Sequence, residues 1–296
     1  MTLLPSFRAW FPAATFSAVL VLLPAAPAAM AQSTAPQRIV SFNICTDQLV
    51  VSLADPAQVA GLSPYATDPT LSVVADEARK FRRLPWHAES IIPLAPDLVL
   101  VGPRDRAITQ RLLTALSLRV VEIPFISTIA DAREQITHVA GLLGQPARGA
   151  ALLAKLDAAQ ARLHAARERL ADAARPAKTA LMVERSGYAE GQASLAAGLI
   201  AEAGLVPPEG APAGIGGFVA LERLIVMRPD LLMFKSLIQA PRDQGSVYLT
   251  HPALKALYPP SRRIVLPGRY TLCGGPGLVA GLDHLADELA RLAREQ

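Results

Sequence analysis

Two cysteines, Cys45 and Cys273, are the residues whose chemistry most constrains this chain of 296 residues. Cys45 stands in Asn43-Ile-Cys45-Thr-Asp-Gln and Cys273 in Cys273-Gly-Gly-Pro-Gly277. Three chemistries suit them: a disulfide in an oxidising compartment, a pair of thiolates toward a soft metal, or two small buried side chains. A cysteine nucleophile of an exported enzyme is a further reading, and it requires a base beside a free thiol. The glycine run Gly274 to Gly277 lets a ligand group approach backbone N–H groups, and it serves equally as a tight turn. It lacks the Gly-Lys-Ser/Thr of a phosphate loop. The histidines His87, His138, His164, His251 and His284 are scattered singly, whereas a dedicated metal site wants two or three that converge. With no Gly-x-Ser-x-Gly, His-Glu-x-x-His or Cys-x-x-Cys in the sequence, no catalytic residue, resident metal or cofactor is expected.

The elements that must position these residues alternate between strand and helix. Arg38–Asn43, Gln58–Leu62, Leu98–Val101 and Arg119–Ile123 read as short strands, with helical patterns at Thr46–Leu53, Glu89–Leu94 and Ala107–Leu116. Runs such as Leu98–Val101 are apolar without alternation, as in strands covered on both faces of a parallel sheet. Thr128 with Asp131 forms a capping pair, Gly144 ends that helix and Pro146 opens the next. The following helix runs to about Asp172, with Leu152, Leu156, Leu163 and Leu170 near one face.

The alternation then restarts. Strands are expected at Thr179–Val183, Leu231–Phe234 and Arg263–Leu266, and helices at Ser194–Ala203, Leu221–Met227, His251–Leu257 and from Pro276 to about Ala293. Glu89 to Leu100 aligns without a gap on Glu222 to Met233, each with Glu, then Pro-Asp seven and eight residues later, then an apolar strand. That one match suggests two pseudo-symmetric α/β lobes with mainly parallel sheets, joined by one long helix acting as a strut. The divisions implied are 1–31, 32–143, 144–175 for the linking helix, and 176–296.

Residues 1–31 carry Arg8, then an apolar run from Ala13 to Leu23, then Ala29-Met30-Ala31. This is the pattern of a secretory signal, cleaved near Ala31/Gln32, and too short to span a bilayer. The 51% hydrophobic content therefore divides between a removable leader and buried sheets. The net charge falls from +4 to about +3 once Arg8 is removed, with no nucleic-acid motif. Nucleic acid is not an expected partner, and the exported chain is expected to be a monomer.

Arg-Ile-Val-Ser near the mature start, the Gly-Leu-Ser-Pro-Tyr stretch and Glu-x6-Pro-Asp-Leu-Val together resemble periplasmic substrate-binding proteins of ABC importers, in the branch serving ferric siderophores, heme and cobalamin. The resemblance spans about Arg38 to Arg294. It implies a ligand cleft between the lobes, small closure on ligand, and a permease dimer in the inner membrane as partner. Glu89 and Glu222 look like that family's two docking carboxylates, one exposed on each lobe. The ligand implied is an iron-siderophore or cobalamin-type metal chelate, with heme as the alternative.

Loop positions after strands mark the cleft. Asn43, Cys45, Tyr65, Trp86 and Arg104 are the candidates in the first lobe. Tyr188, Phe218, Tyr270, Cys273 and Gly274 are those in the second. Tyr65 and Trp86 match aromatic cleft positions of the cobalamin-binding branch, whereas Gly102 and Gly216 stand where that branch has tryptophans. Tyr188 or Tyr270 would be the axial ligand of a heme carrier. In such a fold both cysteines face the cleft, and the disulfide of the cobalamin branch lies elsewhere, within the second lobe.

Overall fold

A computed structural model describes residues 35–103, 107–170, 177–236, 240 and 243–295. The leader expected at 1–31 and Arg104 lie outside the described residues.

Four short strands, β1 (Ile39–Ser41), β2 (Val59–Gly61), β3 (Leu98–Val101) and β4 (Val120–Glu122), form an all-parallel sheet in the order β2-β1-β3-β4. Helices α1 (Ile44–Leu53), α2 (Ala75–Ala78), α3 (Ala88–Ile91) and α4 (Ala107–Ala115) lie in the connections. Alternation at period two explains the unbroken apolar strands. Ile39, Leu98 and Leu100 enter one core, while Val40, Val99 and Val101 enter another beneath α3 and α4.

Helix α5 (Ile129–Leu142) begins with the expected capping box between Thr128 and Asp131. It stops before Gly144, which takes φ +69°, a value glycine adopts without steric cost. Helix α6 (Pro146–Leu170) follows, 25 residues long, or about 37 Å.

The second sheet holds β5 (Ala180–Val183), β6 (Tyr188–Glu190), β7 (Gly216–Phe218), β8 (Leu231–Phe234) and β9 (Arg263–Val265), in the order β7-β6-β5-β8-β9. Strands β5, β8 and β9 are parallel, and β6 and β7 add antiparallel pairings at one edge. The sequence reading placed Tyr188 and Phe218 after strands or before helices. They lie instead inside β6 and β7, directly paired. Strands of three residues without a β-branched side chain, Tyr-Ala-Glu in β6 and Gly-Gly-Phe in β7, carry neither the composition nor the alternation that reveals a strand. Helices α7 (Leu195–Glu202), α8 (Leu221–Met227), α9 (Gln244–Thr250), α10 (Pro252–Leu257), α11 (Gly268–Thr271) and α12 (Pro276–Arg294) complete the chain.

The two lobes repeat one local device. Helix α3 and its 3-10 extension end at Ala95 (φ 42°), and α8 ends at Arg228 (φ 46°), both left-handed and both followed by Pro-Asp. Proline blocks continuation of the helix. The aspartate then turns back onto the first strand of its lobe. Asp97 accepts the N–H groups of Gln37 (2.6 Å) and Arg38 (3.0 Å), while Asp230 accepts the N–H and hydroxyl of Thr179, each at 2.8 Å. The internal sequence match is therefore a match of geometry.

One core runs through both lobes. Leu152, Leu156, Ala159, Leu163 and Ala166 of α6 and Leu278, Leu282, Leu285, Leu289 and Leu292 of α12 share it with strand residues of both sheets. Each set recurs at spacings of three and four, which gives a helix one apolar stripe. The long helix is packed along α12 and α5, and Arg162 pairs with Asp283 (2.6 Å) and Asp287 (2.9 Å) beside the seam.

Candidate functional site

In parallel sheets ligands gather at the carboxyl ends of the strands. In the first sheet those ends carry Phe42 and Asn43 after β1, Ser63 and Tyr65 after β2, Pro103 after β3 and Ile123–Ile126 after β4. Asn43 caps α1, its side-chain oxygen accepting the N–H of Cys45 at 2.8 Å. Phe42 is buried and meets the Trp86 ring edge-on at 4.9 Å, and Trp86 meets Tyr65 at 5.4 Å. The half-exposed Tyr65 (49%) thus stands against the partly buried Trp86, itself backed by buried Phe42.

A hydrogen-bond chain fixes the loop bearing Tyr65. The carboxylate of Asp47, in the first turn of α1, accepts the N–H (3.1 Å) and hydroxyl (2.5 Å) of Ser63. The Ser63 hydroxyl oxygen in turn accepts the Tyr65 N–H at 3.3 Å. Burial pushes the Asp47 carboxyl up to about 7, against the lowering effect of its bonds to Ser41 and Ser63. Sequence reasoning missed Asp47, because a polar position in a short helix gives no sign that it is buried.

The cysteines are joined. Cys45 and Cys273 form a disulfide with Cα atoms 5.1 Å apart, within ordinary disulfide reach. It ties the N-terminal turn of α1 to the loop before α12. Of the chemistries left open by the sequence, the paired thiolates and the free nucleophile lose their sulfhydryls. A shallow groove lies along the bridge, with Asn43, Cys45, Pro103, Phe125, Leu272 and Gly274 among its walls. Gly274 is buried, and a side chain there would meet Ile126 at 2.7 Å. The glycine admits a close approach of the β4 loop. Phe125 is 74% exposed at this groove. It escaped the sequence reading, although its position just after a strand was a usable signal.

The carboxyl ends of the second sheet are more polar. Lys235, after β8, bridges Glu184 (2.5 Å) and Glu190 (2.7 Å). Burial alone would lower the lysine, but its hydrogen bonds to the two glutamates outweigh that and raise it. Tyr188 and Phe218 meet edge-on at 5.7 Å beside the end of β5, and Phe218 is 77% exposed. The Tyr270 ring meets that of His284 of α12 at 5.5 Å, and its hydroxyl accepts an N–H of Arg269 at 3.3 Å. Arg269 also donates to the carbonyl of Pro69 at 3.1 Å, which links the two lobes.

Glu89 and Glu222 are each the second residue of their helix, α3 and α8, and both are exposed. The shared left-handed Pro-Asp terminus gives them equivalent places in the two lobes. Among the described residues no cluster of three or more His, Cys, Asp or Glu side chains is placed to hold a metal ion.

Comparison with known proteins adds three findings. Residues 39–246 match the family model of the periplasmic binding protein. The fold is similar to that of a periplasmic heme binding protein from Pseudomonas aeruginosa, with a TM-score of 0.66 and 19% identity, covering 86% of this chain and 93% of that one. It is also similar to the heme-binding protein RhuT from Roseiflexus sp. RS-1 (TM-score 0.66, 23% identity, 87% and 99% covered) and to the vitamin B12 binding protein BtuF of Vibrio cholerae (TM-score 0.63, 15% identity, 88% and 99% covered). No curated protein matches the sequence.

Proposed function

The chain belongs to the periplasmic binding protein family, and from that premise we propose that it is the solute-binding component of an ABC importer for a metal chelate. The chemical class comprises ferric siderophores, corrinoids and heme. The observation that carries the reading is the Tyr65–Trp86 pair, half-exposed and backed by buried Phe42 at the strand ends. Aromatic faces presented this way suit a large, flat or apolar-rimmed ligand. The similar heme binding and vitamin B12 binding proteins support the same class. The protein makes and breaks no bond in its solute; it captures the chelate and releases it. It is exported through a leader at 1–31, and it meets the two permease subunits through Glu89 and Glu222, whose charges set register and encounter rate.

The chain has two tryptophans, and Trp10 lies in the proposed leader. Fluorescence of the mature protein therefore reports Trp86 alone. Titration with heme, cyanocobalamin and a ferric hydroxamate should give saturable quenching by one class, with the metal-free chelator far weaker. Linear quenching by all three would remove the reading.

A further inference from the structure

The disulfide does more than tie the chain. It lies in the wall of the groove between the lobes, and its two cysteines differ in exposure. Both line the groove, but Cys45 is partly exposed whereas Cys273 is 1% exposed. Each cysteine also stands at the N-terminal end of a helix long enough to carry a dipole. Cys45 is the second residue of the ten-residue α1, and Cys273 precedes the cap of the nineteen-residue α12 by two residues. Helix N-termini stabilise thiolates, and a disulfide whose reduced form is so stabilised is the more easily reduced.

We propose that Cys45–Cys273 is a thiol–disulfide exchange site, opened by a dithiol that enters the groove and attacks the Sγ of Cys45. One dithiol sulfur, as thiolate, bonds to Cys45 Sγ. The Cys45–Cys273 bond breaks, and its electron pair leaves on Cys273 as a thiolate at the head of α12. The second dithiol sulfur then displaces Cys45, so the dithiol is oxidised to a cyclic disulfide and the protein gains two thiols.

The consequence is local. Without the bond, the two chain stretches at the bridge rely on neighbours such as Leu49 of α1 beside Gly275 and Ile126 of the β4 loop beside Gly274. The shared core along α6 and α12 does not depend on the bridge. Reduction therefore loosens the groove wall and leaves the spine in place, whichever solute the groove takes.

The test uses the exported, oxidised protein without ligand. Glutathione should first form a mixed disulfide on Cys45. Dithiothreitol in native buffer should then release two alkylatable thiols, and amide exchange at 43–46 and 272–275 should rise about tenfold or more while residues 278–292 keep their protection. Thiols that form only in denaturant, a mixed disulfide on Cys273, or reduction with unchanged exchange at both segments would each overturn the proposal. Cys45→Ser/Cys273→Ser should reproduce the loosened segments. If that variant does not fold, the reduction of the native chain still decides.

Discussion

At the residue scale the account rests on side chains whose exposure is arranged by buried neighbours. Trp86→Ala removes the ring beneath Tyr65, and Tyr65→Ala removes the exposed face. Each should weaken chelate binding by about tenfold, the order expected of an aromatic contact, as measured by equilibrium dialysis. Asp47 makes a different prediction. Its carboxyl is raised from 3.8 to about 7 in the folded state, so the native protein holds a proton that the unfolded chain releases. Stability from this group is fully present below pH 4 and is lost as pH rises toward 7. Asp47→Asn keeps an oxygen for the Ser63 N–H and should flatten that part of the stability profile. Its advantage over the parent should be greater at pH 8 than at pH 5 in denaturant titrations. Tyr65 and Trp86 came from the family resemblance, and Tyr65 also follows β2. Phe125 has a similar place and Asp47 a hidden one, and neither lies in a motif.

At the scale of elements, the left-handed Pro-Asp terminus is what turns a faint internal match into two equivalent helices. It seats Asp97 and Asp230 on the leading strands of their lobes, and so sets Glu89 and Glu222 at matching places. Reversing both charges, Glu89→Arg with Glu222→Arg, should abolish chelate uptake in a permease-dependent assay while leaving ligand affinity within about twofold, since rim charges act on encounter and register. Loss of affinity instead would assign the pair to the cleft. Strands covered on both faces, and helices marked by Thr128, Pro146 and Pro276, could be read from the sequence because burial and capping leave local signs. Strands β6 and β7 could not, because their pairing is dictated by the neighbouring β5 rather than by their own residues. Helix α9 begins at Asp243 with a capping box, but it is short and lacks an apolar stripe.

At the scale of the molecule, one core passes through both lobes along α6 and α12, and a disulfide joins the head of α1 to the loop that leads into α12. A continuous core resists large rotation of one lobe against the other. Scattering profiles with and without ligand should therefore differ little. Removing the bridge by Cys45→Ser/Cys273→Ser should lower unfolding stability by about 2–5 kcal/mol, read as a lower denaturant midpoint. The two-lobed plan was foreseeable from the alternation of strand and helix and from one repeated segment. The sequence left the disulfide of Cys45 with Cys273 as one of three readings, and only the packed lobes, which bring their Cα atoms to 5.1 Å, select it. The central claim is that this cleft holds a metal chelate. The direct measurement is elemental analysis with mass spectrometry of the protein purified from the native periplasm of cells supplied with ferric siderophore, cobalamin and heme. The account predicts one equivalent of iron or cobalt together with its organic chelator. A metal-free solute at one equivalent, or an empty protein from cells given all three, would contradict it.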